Sequence, residues 1–205
     1  TTAGANRIIT VDLHSPQIVG FFDIDIDHFE AYPLFADYFR KKNIKDIIAV
    51  ASDSGFAKKT RKFAKLLDCP MAIIDKRRKV HNKAEIVNVI GDVKDKTCIL
   101  LDDMIDTAGT VAKSADALME KGAKEVYIAA THAVLSGDAV EKLDKCGAKE
   151  IIVTDTVPIP KTKKISKLKI ISLTKLMAQV IQRIHDHESL GELFSWEEKS
   201  NVRYE

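Results

Sequence analysis

Ile99-Leu100-Leu101-Asp102-Asp103-Met104-Ile105-Asp106-Thr107-Ala108-Gly109-Thr110 is the stretch on which the reading of this chain turns. An apolar run ends in two adjacent acids, and a turn of small residues leads into the amphipathic segment Thr110–Lys121. The order is strand, loop, helix. In an open sheet of parallel strands, ligands bind beyond the carboxyl ends of the strands. Asp102 and Asp103 sit at such an end, where carboxylates take ribose hydroxyls or a metal ion. Thr107 and Thr110 offer hydroxyl groups. Ala108 and Gly109 let backbone N–H groups approach a phosphate, and the helix beginning near Thr110 adds its positive N-terminal end. The layout suits a phosphorylated sugar. The plainer alternative is a helix cap beside solvated acids, which has no need of two strand-end acids together with a glycine-bearing turn.

Outward from this run, short apolar stretches rich in β-branched residues recur at Arg7–Val11, Ile47–Ala51, Met71–Ile74, Val126–Ala130, Ile151–Val153 and Ile170–Ile171. They do not alternate cleanly, as expected of strands covered on both faces. Amphipathic segments at Pro33–Lys42, Ala57–Leu67, Ala139–Lys145 and Leu173–His185 lie between or after them. Gly122 reads as a helix stop, and Ser136-Gly137-Asp138 as an N-cap. Strand–helix alternation with short connections predicts an α/β fold, a parallel sheet with flanking helices. A shorter strand, Ala84–Ile90, is expected to pair with Cys98–Leu101 across Gly91-Asp92. Pro158–Lys167 reads as a basic linker.

The chain has 205 residues, 45% of them hydrophobic, with Lys+Arg 32 against Asp+Glu 30. A formal charge of +2 is too small to suggest nucleic-acid binding. No apolar run approaches the ~20 residues that span a bilayer, and no signal peptide is visible. Cys69, Cys98 and Cys146 lack a C-x-x-C pairing and read as reduced core thiols of a cytoplasmic protein.

Further segments narrow the reading. Asp12-Leu13-His14, Gly20-Phe21-Phe22-Asp23, Ile73-Ile74-Asp75-Lys76-Arg77-Arg78, Gly91-Asp92-Val93 and Thr131-His132 through Leu135-Ser136-Gly137 join the Asp102–Thr110 run. From about Thr2 to Phe194 this ordered set resembles the ribose-phosphate pyrophosphokinases (PRPP synthetases), whose halves have the type I phosphoribosyltransferase fold. The resemblance implies Mg²⁺-dependent transfer of the diphosphoryl group of ATP to the 1-hydroxyl of ribose 5-phosphate, giving PRPP and AMP. It implies ribose 5-phosphate contacts at Asp102, Asp103, Asp106, Thr107, Ala108, Gly109 and Thr110. It implies a diphosphate loop at Asp53, Ser54 and Gly55, and catalytic cations at Lys76 and Arg78. His14 follows a strand end and by itself reads as a metal ligand, a phosphate contact or a satisfied structural histidine. The resemblance makes it, with Asp53, a magnesium ligand.

The resemblance also implies that residues 1–28 end a first domain, that 29–194 form a second, phosphoribosyltransferase-like domain, and that 195–205 are a polar tail. A homo-oligomer is expected, dimer-based and hexameric in the family, with no nucleic-acid or membrane partner. The strand Arg7–Val11 is expected to join a neighbouring chain or the larger sheet. Gly20–Asp23 reads equally as packing or as an effector region, and Thr131, His132 and Ser136 read as structural caps. The chain departs from the family pattern at Phe56, where relatives carry a second Gly, and at Lys59, where they carry Arg. Lys59 keeps the charge but lacks the bidentate fork of Arg. Two alternatives follow: a non-catalytic synthetase-associated regulatory subunit, or a phosphoribosyltransferase that consumes PRPP.

Overall fold

The computed structural model describes residues 1–77, 86–163 and 165–194, with the backbone alone at 76, 77, 86 and 87. In chain order the elements are β1 (Arg7–Val11), a 3₁₀ turn (Pro16–Phe21), β2 (Asp25–Phe29), α1 (Tyr32–Lys42), β3 (Ile47–Ala51), α2 (Ala57–Leu67), β4 (Met71–Arg77) and β5 (Ile86–Ile90). There follow β6 (Thr97–Ile105), α3 (Gly109–Glu120), β7 (Glu125–Ala133), α4 (Ala139–Lys145), β8 (Glu150–Thr154), β9 (Leu168–Ile171), α5 (Thr174–His185) and α6 (Gly191–Phe194).

Seven strands form one sheet in the order β5-β4-β3-β6-β7-β8-β9. All neighbours are parallel except β4 and β5. The side chains of the inner strands divide by parity, because successive residues of a strand point to opposite faces. Ile48, Val50, Cys98, Leu100, Val126, Ile128, Ile151 and Val153 meet Val111, Ala115 and Leu118 of α3 and Leu143 of α4. On the other face Ala49, Ile99, Leu101, Tyr127, Ala129 and Ile152 meet Phe35 and Phe39 of α1, Phe63 of α2 and Val180 of α5. Helices therefore cover both faces, which is why the strands read as continuous apolar runs. Phe39 anchors the second layer edge-on to Phe63 and Tyr127, at ring separations of 6.3 and 5.6 Å.

Three expectations change. Ala84–Ile90 does not pair with Cys98–Leu101: β5 runs antiparallel to β4, because β6 already has β3 and β7 on its two sides. Gly91, at φ +123°, makes the tight exit, where a Cβ would lie 2.8 Å from Ala72 Cβ. The strand Arg7–Val11 does not join the large sheet. It pairs in parallel with β2, a strand that the polar sequence Asp25–Phe29 does not announce. Asp102 and Asp103 do not lie past the end of their strand, since β6 continues through them to Ile105 in register with His132 and Ala133 of β7.

The three cysteines are free thiols, with Cys98 and Cys146 buried and Cys69 half-buried. Burial pushes the Cys98 thiol up to about 12. Among the described residues no helix is long and apolar enough to cross a membrane.

Candidate functional site

β6 is the central strand, so its carboxyl end opens at the middle of the sheet edge. Beyond it the chain turns through Asp106 and Thr107 to Ala108, the N-cap of α3. Ala108 is buried and left-handed, with φ +59°, a conformation that costs a residue with a Cβ about 1–2 kcal/mol. The turn is held from behind. Leu135 N–H donates to Ile105 O at 3.0 Å and Ser136 N–H to Asp106 O at 2.9 Å. Lys142 Nζ donates to Thr107 O at 3.3 Å. Ser136 thus supports the turn through its backbone.

The N-terminus of α3 has no side-chain cap and no acid in its first turn. The first N–H groups of a helix have no partner within it, so an uncapped, acid-free start leaves donors and positive potential for an anion. This end opens into a pocket of about 240 Å³ lined by His14, Asp53 and the run Asp102 to Val111. All seven expected sugar-phosphate residues lie on it, together with both expected metal ligands.

Two acids crowd its floor. Burial pushes the Asp102 carboxyl up to about 7, the neighbouring Asp103 charge pushes the same way, and the Asp103 N–H bonded to Asp102 Oδ1 at 2.9 Å opposes them. Asp103, itself buried, has a partner that the local sequence does not reveal: His14 Nδ1 lies 2.7 Å from its Oδ2. A carboxylate oxygen only accepts, so Nδ1 carries the hydrogen, and the ring as a whole is largely exposed. Such a carboxylate–histidine pair is how a metal-binding imidazole is commonly oriented.

Asp53 lines the pocket, but its Oδ1 also accepts the Phe56 N–H at 2.9 Å and so closes the loop before α2. Ser54 and Gly55 are exposed on that loop and are not among the lining residues. Phe56 is half-buried and packs against the α1/α2 core layer, with Lys59 Nζ 5.3 Å from its ring centre. Lys59 is bound to Asp12 at 2.9 Å. Lys76 is described only as backbone in β4, opposite Val87, and Arg78 lies outside the described residues. In the Gly20–Asp23 stretch Phe21 is 86% exposed. Thr131 and His132 do more than cap a strand: Thr131 Oγ1 donates to Asp12 Oδ2 at 2.7 Å, and His132 Nε2 reaches the carbonyls of Val11 and Asp12. Asp12 is the site-adjacent residue that the sequence reading missed. Its only local mark is its place two residues before His14, and its partners lie as far as 119 residues away.

A family model described as phosphoribosyl synthetase-associated domain matches residues 77–195. A ribose-phosphate pyrophosphokinase of Fusobacterium nucleatum is 50% identical over 197 residues, covering 95% of this chain and 62% of that protein. One of Bacillus subtilis is 50% identical over 194 residues, covering 95% and 61%. The crystal structure of phosphoribosylpyrophosphate synthetase from Mycobacterium smegmatis superposes with a TM-score of 0.84 at 45% identity, covering 91% of this chain and 61% of that one. The chain thus spans about six tenths of the length of these relatives. With this match lying over the strand, turn and helix that line the pocket, the chain belongs to the phosphoribosyl synthetase-associated domain family.

Proposed function

We propose that this chain carries the ribose 5-phosphate site of a PRPP synthetase, an enzyme that moves the diphosphoryl group of ATP to the 1-hydroxyl of ribose 5-phosphate and releases AMP. One observation carries the reading: an uncapped, acid-free helix start opens into a pocket floored by paired carboxylates, in a chain half identical to ribose-phosphate pyrophosphokinases. The backbone N–H groups at the start of α3, with the Thr107 and Thr110 hydroxyls, take the 5-phosphate. Asp102 and Asp106 accept from the ribose hydroxyls, while Asp103 is divided between the sugar and His14. The Asp53–Gly55 loop meets the diphosphate, and Lys76 and Arg78 supply positive charge to the transferring group.

The donor set suits a magnesium ion. Among the described residues no three His, Cys, Asp or Glu side chains group as a metal site, and Mg²⁺ commonly takes few protein ligands while keeping waters and phosphate oxygens. His14, through Nε2, and Asp53 are the residues that would hold it. When bound, the ion would neutralise phosphate charge. Assembly as a homo-oligomer and a cytoplasmic location are parts of the same proposal.

Two measurements test the reading. AMP formation from ATP, ribose 5-phosphate and Mg²⁺ is expected to be weak or absent in this chain, which spans about six tenths of its relatives, and any that forms is expected to require ribose 5-phosphate and to vanish in Asp106→Ala. Ribose 5-phosphate alone is expected to raise the melting temperature. The regulatory-subunit reading draws on Lys59, whose ammonium is already bound to Asp12. Ribose 5-phosphate binding without AMP, even beside an intact synthetase, would select that reading.

A further inference from the structure

A buried ionic knot lies directly behind His14. Where β1 ends, Asp12 turns left-handed, with φ +44°, and is only 3% exposed. Its Oδ2 accepts the Ala31 N–H at 2.8 Å and the Thr131 hydroxyl at 2.7 Å. Its Oδ1 accepts Lys59 Nζ at 2.9 Å. His132 Nε2 lies 3.1 Å from Val11 O and 3.2 Å from Asp12 O. Carbonyl oxygens only accept, so this nitrogen carries the hydrogen and clamps the same turn from outside. Four parts of the chain meet here: the end of β1, the entry to α1, β7 and the first turn of α2. A buried charge in a left-handed turn is costly unless every oxygen is satisfied. Here both oxygens are satisfied, and the turn so fixed leads in two residues to the imidazole that meets Asp103.

We propose that Asp12 and Lys59 are a positioning pair, fixing the Asp12–His14 turn so that His14 reaches Asp103 across the pocket. Lys59 accordingly ties the His14 turn to the helix that follows the Asp53 loop, and does not itself ligate diphosphate. Phe56 fits the same role, its ring covering the ammonium that Asp12 holds. The two departures from the family pattern, Phe56 and Lys59, are then one local arrangement. The inference rests on the pocket being the sugar-phosphate site proposed above, but its first readout needs no ligand.

That readout is the ¹H–¹⁵N spectrum of the His14 ring in the full chain, recorded for Lys59→Met, Asp12→Asn and the double variant. Binding of inorganic pyrophosphate with Mg²⁺ is measured alongside. Lys59→Met and Asp12→Asn are each expected to shift the His14 ring signals and weaken pyrophosphate about tenfold. The double variant is expected to be no worse than either single one, because both remove one interaction. Lys59→Arg is expected to restore the signals. Unchanged His14 signals in folded Lys59→Met would overturn the proposal, and so would losses that multiply in the double variant, since Lys59 would then act on diphosphate by itself. Should Asp12→Asn fail to fold, the His14 ring spectra of Lys59→Met and Lys59→Arg decide the proposal by themselves. A wild-type chain that binds no pyrophosphate would refute the site reading, while the ring spectra would still decide the pairing.

Discussion

The pocket has two walls of different construction. One, Asp102 to Val111, is a single continuous stretch: the end of β6, a turn and the start of α3. The other is gathered from far apart, with His14 meeting Asp103 across 89 residues of chain and Asp12 meeting Lys59 across 47 and Thr131 across 119. The first wall rests on a nine-residue strand buried along most of its length. The second hangs from the two-stranded β1–β2 sheet, whose first strand has no fully buried residue. A local motif brings its own geometry, whereas a gathered wall needs ties, and the Asp12 knot is such a tie.

The hardest blow to the continuous wall is Leu101→Ala. Leu101 is 2% exposed in the core layer beneath β6. Its truncation is expected to cost about 2–5 kcal/mol, read as a fall in melting temperature of roughly 5–15 °C. A change that spares the fold and blocks the site is Gly109→Val. A Cβ there would meet nothing nearer than Thr107 Oγ1 at 3.9 Å, so stability should hold while the side chain fills space the phosphate needs. Ribose 5-phosphate affinity, followed by calorimetry, is expected to fall at least tenfold, about 1.4 kcal/mol. An unchanged affinity would remove the phosphate from the helix start.

Asp102→Asn should move stability and binding in opposite directions. The folded carboxyl titrates near 7 against an ordinary 3.8, driven up first by burial. A raised folded value means that stability is fully present below about pH 4 and is lost as pH rises through 7. The Asn variant removes that loss and keeps the oxygen that accepts the Asp103 N–H. It is expected to melt roughly 3–6 °C above the wild type at pH 8 and level with it at pH 4, with weaker ribose 5-phosphate binding throughout. A gain independent of pH would show that Asp102 carries no such penalty.

The contrast between the two walls should also appear in amide exchange. β1 and β2 amides are expected to open at lower free energy than those of β6 and β7, because a lone two-stranded sheet has little stability of its own. Equal protection would mean that the Asp12 knot binds the two regions into one cooperative unit. The smallest effect concerns the thiols. Burial raises all three cysteines, Cys98 to about 12. At pH 8 the native chain should react slowly with a thiol reagent, half-buried Cys69 first and Cys98 last, and all three quickly once unfolded.

What the amino-acid sequence determined by itself is everything whose physics is local. Apolar runs such as Ile47–Ala51 and Ile99–Leu101 could only be strands covered on both faces, and the helical spacing of Ala57–Leu67 matches α2 residue for residue. The acids, small residues and hydroxyls of Asp102–Thr110 are consecutive, so their chemistry and their shared place were legible together. Tertiary structure alone decided the rest. The pairing of β5 depended on which edge was still open, and β2 formed from a polar stretch because β1 lay beside it. His14 could be suspected, but its partner Asp103 could not, and Asp12 looked like a strand-end acid until Lys59, Thr131 and Ala31 closed around it. Side-chain contacts across many tens of residues leave no periodic trace in a single sequence. They exist only once the sheet has set which strand ends lie side by side.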